Sequence, residues 1–294
     1  MERSATLIPI PVPDRPGFGF YLELGGVKVG FVAAGEGGDI SANLVRDPSG
    51  PETFVRKRIG SIGYEDITLR FGLGMAKPLY EWIAESWAGK AAPRSGALLS
   101  VDHDLQINSR REFKNALVTE TSIPPLNGAS KDAALISMRI TPESTGEIKT
   151  AGKVPGPDAK LHRWMTSNFR LEIAGLDASR ARAVDGFVVR SSPRPSAPGA
   201  KIDFPDLRVW VAAAFADPWR AWFDDFVVRG HNDATFEKAG ALVFLAPDRE
   251  TDLGRIALDG LGIRRLGQVH ATSEDTIPSI AADLYCQRMR FVPK

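Results

Sequence analysis

Apolar and β-branched residues recur along the chain in runs of strand length, separated by glycine, proline or polar clusters. Gly19 to Leu24, Val27 to Ala33, Asp66 to Phe71, Ala97 to Asp104, Phe113 to Thr119 and Ala134 to Ile140 read as strands in the first half. Phe169 to Ile173, Gly186 to Arg190, Leu207 to Ala214, Ala241 to Ala246, Arg255 to Leu261 and Ala282 to Phe291 do so in the second. The period changes once in each half. Leu79, Trp82, Ile83 and Trp87 follow Pro78 at helical spacing, and Trp219, Trp222, Phe223 and Phe226 follow Pro218, with Asp217 placed as an N-cap. Large aromatic stripes of this kind fix a helix on a sheet, so both are expected to lie against a wall of strands. About six strands and one helix in each half predict a mainly β protein, two barrels or sandwiches each with one flanking helix.

The two halves resemble each other. Met75-Ala76-Lys77-Pro78-Leu79-Tyr80-Glu81-Trp82 matches Phe215-Ala216-Asp217-Pro218-Trp219-Arg220-Ala221-Trp222, and Tyr64, Asp66, Ile67 and Leu69 fall on Phe204, Asp206, Leu207 and Val209 at the same spacing of 140. Phe20 to Leu24 faces Phe169 to Ile173 at 149, and Gly96 to Leu99 faces Gly240 to Val243 at 144. Met138-Arg139-Ile140 is matched to Met289-Arg290-Phe291 at 151. Collinear blocks spanning both halves indicate a tandem duplication. The stretch from Glu143 to Thr166, rich in Gly, Pro and Thr, has linker chemistry. The expected organisation is therefore an extended N-terminal arm over 1–15, a first domain over 16–142, a linker over 143–166 and a second domain over 167–294. A chain of 294 residues accommodates two such domains.

Composition narrows the function. The 37 basic and 36 acidic residues cancel, leaving no overall charge footprint of a duplex-binding protein. One cysteine, Cys286, excludes an intramolecular disulfide and a multi-cysteine zinc site, and it is expected to pack as a small apolar side chain. No run approaches the roughly 20 apolar residues of a membrane span, and Met1 to Asp14 lacks the apolar core of a signal peptide. His103 sits between Asp102 and Asp104, but on a strand it would point away from both. His162, His231 and His270 have no ligand-like spacing. The glycines at Gly25-Gly26 and Gly35 to Gly38 lack the Lys-Ser/Thr of a phosphate loop and suit hairpin turns. No nucleophile motif is present. The sequence thus offers no catalytic, cofactor-binding or metal-binding residue, and no enzyme, cofactor or membrane partner is expected. A carbohydrate- or protein-binding β-module is the alternative; it would display an aromatic platform, whereas most of the tryptophans lie on the two helices.

The first half resembles the tail-tube protein family of contractile-tailed phages and related injection systems. The resemblance rests on Phe20 to Gly26, on Gly60 through Tyr64, Ile67, Leu69 and Gly72, and on Pro78 to Trp82. It continues through Phe113-Lys114-Asn115-Ala116 and Leu126-Asn127-Gly128 to Glu143. The second half departs from it: Ala212 stands for Gly72, Ile256-Ala257-Leu258-Asp259 for the Phe-Lys-Asn-Ala block, and the segment before Phe204 is shorter. The resemblance implies a structural role in a ring with a central channel, as tube, tube initiator or hub. Three chains would make a pseudo-sixfold ring, or six chains two stacked rings. Gly35 to Gly63 would be the arm that reaches a neighbouring ring. The implied partners are further copies of the chain, tube, sheath or baseplate proteins, and DNA or effector cargo in the channel. The implied location is a virion tail or phage-tail-like particle assembled in the bacterial cytoplasm.

Overall fold

The computed structural model describes residues 19–49, 53–90, 92–156, 164–191, 202–269 and 278–293. The N-terminal arm expected over 1–15, His162 and His270 lie outside them. The first half contains β1 (Gly19–Leu24), β2 (Val27–Val32), β3 (Ala34–Gly37), β4 (Ile40–Asp47), β5 (Arg56–Tyr64), β6 (Ile67–Phe71), α1 (Lys77–Trp87), β7 (Arg94–Val101), β8 (Ile107–Ile123), β9 (Leu126–Asn127), β10 (Ile136–Thr141) and β11 (Ser144–Ile148). The second contains β12 (Phe169–Ile173), β13 (Ala181–Val184), β14 (Phe187–Arg190), β15 (Leu207–Ala212), α2 (Asp217–Phe223), β16 (Lys238–Leu245), β17 (Asp252–Val269) and β18 (Ser279–Pro293). A single 3₁₀ turn, Ala213–Phe215, precedes α2, and a π turn, Asp224–Val228, extends it.

The protein is mainly β, as the alternating pattern predicts. One sheet runs β2-β1-β7-β8-β10-β6-β3 and the other β12-β16-β17-β18-β15-β13-β9, while β4 and β5 form a separate two-stranded ribbon. In chain order the shared path is the same in both: the opening strand pairs with the strand after the helix, that strand with the long one, and the long one with the last. Each sheet also takes an edge strand from the opposite half. β14 pairs with β8 in the first sheet, and β9 pairs with β13 in the second.

Strand pairing revises the sequence alignment of the two halves. Ile140 lies opposite Ile67 and Leu284 opposite Leu207, so the counterpart of Met138-Arg139-Ile140 is Ala282-Asp283-Leu284 and not Met289-Arg290-Phe291. Likewise Phe113 pairs with Gly96 and Leu258 with Gly240, which matches Phe113-Lys114-Asn115-Ala116 to Leu258-Asp259-Gly260-Leu261. Asn115 and Gly260 both adopt positive φ, 48° and 67°, at the same irregularity in the long strand. A one-residue bulge there lets the strand bend and change its partners.

The long strands exceed their predicted lengths because their outer ends are polar. Arg110, Arg111 and Glu112 belong to β8, where β7 and β11 flank them. The stretch expected as linker therefore carries β11, and it also carries the buried Val154 and Trp164. β18 is one unbroken strand of 15 residues, whereas its counterpart is interrupted at Pro142 between β10 and β11. Proline lacks the N–H that a continuous ladder would use there.

Both helices bury most of the predicted stripe: Leu79, Trp82, Ile83 and Trp87 in α1, Trp219, Trp222 and Phe226 in and after α2, with Phe223 only partly buried. Asp217 is not the N-cap; Ala216 is, and Asp217 lies in the first turn with its carboxylate 3.0 Å from Arg220 Nη1. One apolar cluster extends from Leu22 through Trp82, Trp164 and Trp219 to Phe291, so the halves share a continuous core.

Candidate assembly surface

The seam between the halves shows how one sheet edge of this fold is completed. β14 lies antiparallel to the end of β8, with Phe187, Val188, Val189 and Arg190 opposite Ile123, Ser122, Thr121 and Glu120. Val189 and Thr121 are 0% and 1% exposed, and Arg190 Nε is 3.2 Å from Glu120 Oε2. The ladder continues where Ser191 N–H donates to Thr119 O at 2.9 Å. Gly186 permits the approach, since a Cβ there would lie 2.9 Å from Pro125 N. Pairing of this kind satisfies backbone groups that an open edge leaves bare.

The helix of the first half closes the same seam. Tyr80 stacks on Phe291 of β18 with centroids 5.8 Å apart, Trp87 meets Phe291 edge-on at 5.8 Å, and Trp87 meets Phe204 at 6.4 Å. The wall of strands against which α1 lies is thus drawn from both halves, because its outer aromatics dock on Phe291 of β18. The buried Tyr80 hydroxyl accepts from Met75 N–H at 3.0 Å, and burial pushes its pKa up.

Two other edges are uncovered. In β17, the stretch from Gly262 to Val269 pairs with β18 on one side, and among the described residues no strand occupies the other. The β4–β5 ribbon projects with Ile40, Leu44, Ile59 and Ile62 exposed by 58%, 55%, 71% and 62%. An isolated two-stranded ribbon is marginal in water, and an exposed apolar face of this kind is a candidate contact surface. The ribbon starts at a sharp step: Gly37 has φ +89°, and a Cβ there would lie 2.0 Å from Asp66 O. Gly35 to Gly38 therefore form β3 and this step, whereas Gly25-Gly26 make the expected hairpin turn.

No reactive cluster accompanies these surfaces. β7 ends at Val101, and Asp102 to Leu105 form a turn, so His103 is not on a strand; Asp102 Oδ1 accepts from Asp104 N–H and Gln106 N–H at 2.9 and 2.8 Å. His231 Nδ1 lies 2.9 Å from the exposed Asp225 carboxylate. Among the described residues no group of three His, Cys, Asp or Glu is placed to hold a metal, and none of their helices is long and apolar enough to cross a membrane. Cys286 is buried and its thiol is pushed up to about 11, mainly by burial. Two sets of ion pairs tie strands together. Arg110 spans Glu23 and Glu112, and its hydrogen bonds hold the Glu23 carboxyl below the usual range. Arg208 does the same for Asp283, at 2.6 Å.

The family-model match falls on the first half. Residues 16–145 match the family model described as T4-like virus tail tube protein gp19. No curated protein sequence matches the chain. Among solved structures, the chain is similar to one from the PVC sheath-tube complex of an extracellular contractile injection system in the extended state (20% identity, 48% of this chain, 93% of that one, TM-score 0.40). It is similar also to the tube-terminating cap of the anti-feeding prophage (18% identity, 51% of this chain, 100% of that one, TM-score 0.40). A third is the PVC sheath/tube terminator in the extended state (21% identity, 49% of this chain, 99% of that one, TM-score 0.38). The family match thus covers residues 16–145, somewhat less than half of the chain.

Proposed function

We propose that this chain is a tandem pair of tail-tube-type domains that works as a structural ring component of a phage tail or contractile injection particle, and that three chains close a pseudo-sixfold ring around a channel. The observation that carries this reading is the seam. The second half completes the sheet of the first by adding β14 to β8, while the matching edge of β17 has no strand against it among the described residues. Two sheets with one shared strand order are what a duplicated ring domain leaves behind. A joint in which each unit offers one surface and receives on another is heterologous, and it forms a finite ring when the rotation closes.

In this reading the β4–β5 ribbon is the arm that meets a neighbouring ring. The second half has fewer residues between its corresponding strands: 16 positions separate Arg190 and Leu207, whereas 25 separate Ser41 and Ile67. The two sides of the ring are then unequal, which suits an initiator or hub position next to tube, sheath or baseplate proteins. The channel would pass DNA or an effector, and assembly would take place in the bacterial cytoplasm. No enzymatic step is assigned. Electron microscopy and mass photometry of the purified protein test the proposal: rings of about 96 kDa, three times 31.9 kDa, are expected. A homogeneous monomer at micromolar concentration, with no rings in the presence of its neighbouring tail proteins, would overturn it.

A further inference from the structure

The seam inside the chain can be carried forward, residue by residue, onto the joint between chains. On the reading above, the second half of one copy stands to the first half of the next as the first half stands to the second. Shared pairings fix the equivalences. Ala183 and Ala34 pair with Trp210 and Arg70, which are themselves counterparts, so β14 corresponds to Gly38 to Ser41. Val118 pairs with Ile140 and Ile263 with Leu284, so Glu120 to Ile123 corresponds to Arg265 to Gln268.

We infer that the groove between the root of β4 and β11, lined by Gly38, Asp39, Ile40, Arg111, Thr145 and Glu147, is the seat for a second copy of this chain, which inserts the free edge of its β17 beside Ile40 and lays its α2 on Glu147. Ile40 takes the place of Val189 and lies opposite Leu266 of the neighbour; Ser41 lies opposite Arg265, and Asp39 opposite Gly267.

Three independent features agree. The first is backbone direction. Asp39 O accepts from Glu65 N–H at 3.0 Å, so Asp39 faces β5 and Ile40 faces the open side. In β14, Ser191 N–H points to β8, and Val189, two residues earlier, shares that direction. Ile40 and Val189 therefore offer their N–H and C=O to the joint in the same phase.

The second is the helix. Tyr80 and Trp87 of α1 touch Phe291 and Phe204 within the chain, and their counterparts are Arg220 and Val227, facing Glu147 and Tyr64 of the next copy. An aromatic stack inside the chain thus becomes an Arg–Glu pair between chains. Val227 and Val228 are 39% and 67% exposed, as expected of a contact face without its partner.

The third is charge. Asp39, paired with Arg111 at 3.0 Å, is diagonal to Arg265, which lies 3.9 Å from Asp283, on one face of the joined strands; the side chains are 67% and 68% exposed in the single chain and have room for a further partner. Opposite charges at such positions favour pairing. The interaction also discriminates: the joint within the chain is largely apolar and the one between chains is charged, so neither half can substitute for the other.

Cross-linking tests the register. Ser41 and Arg265 form a closely spaced pair outside the hydrogen-bonded positions, suited to a disulfide. In a Cys286→Ala background, Ser41→Cys combined with Arg265→Cys is expected to give covalent dimers and then a closed trimer on oxidation, while each single variant stays monomeric on a non-reducing gel. Both positions are exposed, and circular dichroism checks that folding is intact. A second arm uses charge: Arg220→Glu should weaken assembly at least tenfold, and Glu147→Arg on the same chain should restore it. Rings seen by microscopy without the cross-link and without this rescue would overturn the register and leave the ring standing. No ring and no cross-link would overturn both.

Discussion

The two halves of the molecule use one strand order to different ends. The edge of β8 is closed by the chain itself, and Val189 and Thr121 are fully buried there. At the matching places Ile40 is 58% exposed and Leu266 half-buried. The same contrast holds for the helices, since α1 ends on Phe291 and Phe204 whereas the corresponding face of α2 displays Arg220 and Val227. A joint that is permanent can be apolar throughout; one that must form between separate molecules has to remain soluble until it forms.

Paired substitutions would break or sharpen this contrast. The largest effect is expected from Phe291→Ala, which removes a side chain only 3% exposed from between Tyr80 and Trp87 and should cost about 3–5 kcal/mol in denaturant unfolding. Val189→Asp should come next, destabilising by about 3 kcal/mol because it buries a carboxylate opposite Thr121. Ile40→Asp, the same change at the matching place, should leave unfolding within about 0.5 kcal/mol and yet abolish rings. Equal loss of stability at both places would refute the contrast.

Acid should act on both halves. Hydrogen bonds from Arg110 and Arg208 lower the carboxyl pKa values of Glu23 and Asp283 in the folded state. Their contribution is complete above the ordinary carboxylate range and disappears as pH falls from about 5 through the lowered values. Glu23→Gln with Asp283→Asn should therefore flatten the acid side of the stability profile, read as Tm against pH. The smallest effect concerns Cys286. With its thiol pushed up to about 11, it should react with Ellman's reagent at pH 8 far more slowly than a free thiol, and at the ordinary rate once urea unfolds the chain.

Much of this architecture is legible in the sequence where neighbours along the chain decide it. The stripes Leu79-Trp82-Ile83 and Trp219-Trp222-Phe226 are buried as the spacing predicts. What escapes is decided across the fold. Arg110 to Glu112 looks like a polar loop because its side chains are charged, while its backbone is paired on both sides. Met138 and Met289 are similar in sequence but occupy different rungs, since both halves contain a Met-Arg pair near the end. That Phe187 to Arg190 finishes another half's sheet cannot be read locally, because its partner lies about 65 positions upstream and its composition suits any buried strand. The proposed assembly surface is not legible for the same reason: Ile40, Glu147 and Arg220 carry no motif, and only their places relative to Val189, Phe291 and Tyr80 single them out.

The β14–β8 contact also has a kinetic consequence. Six separate domains need six contacts to close a circle, five of them made by encounter, and the early, loosely held fragments fall apart quickly. Covalent linkage makes every second contact before any collision occurs, at an effective concentration that dilution does not change. In the proposed ring a nucleus of three bodies would replace one of six, and ring formation should depend on protein concentration with a correspondingly lower order.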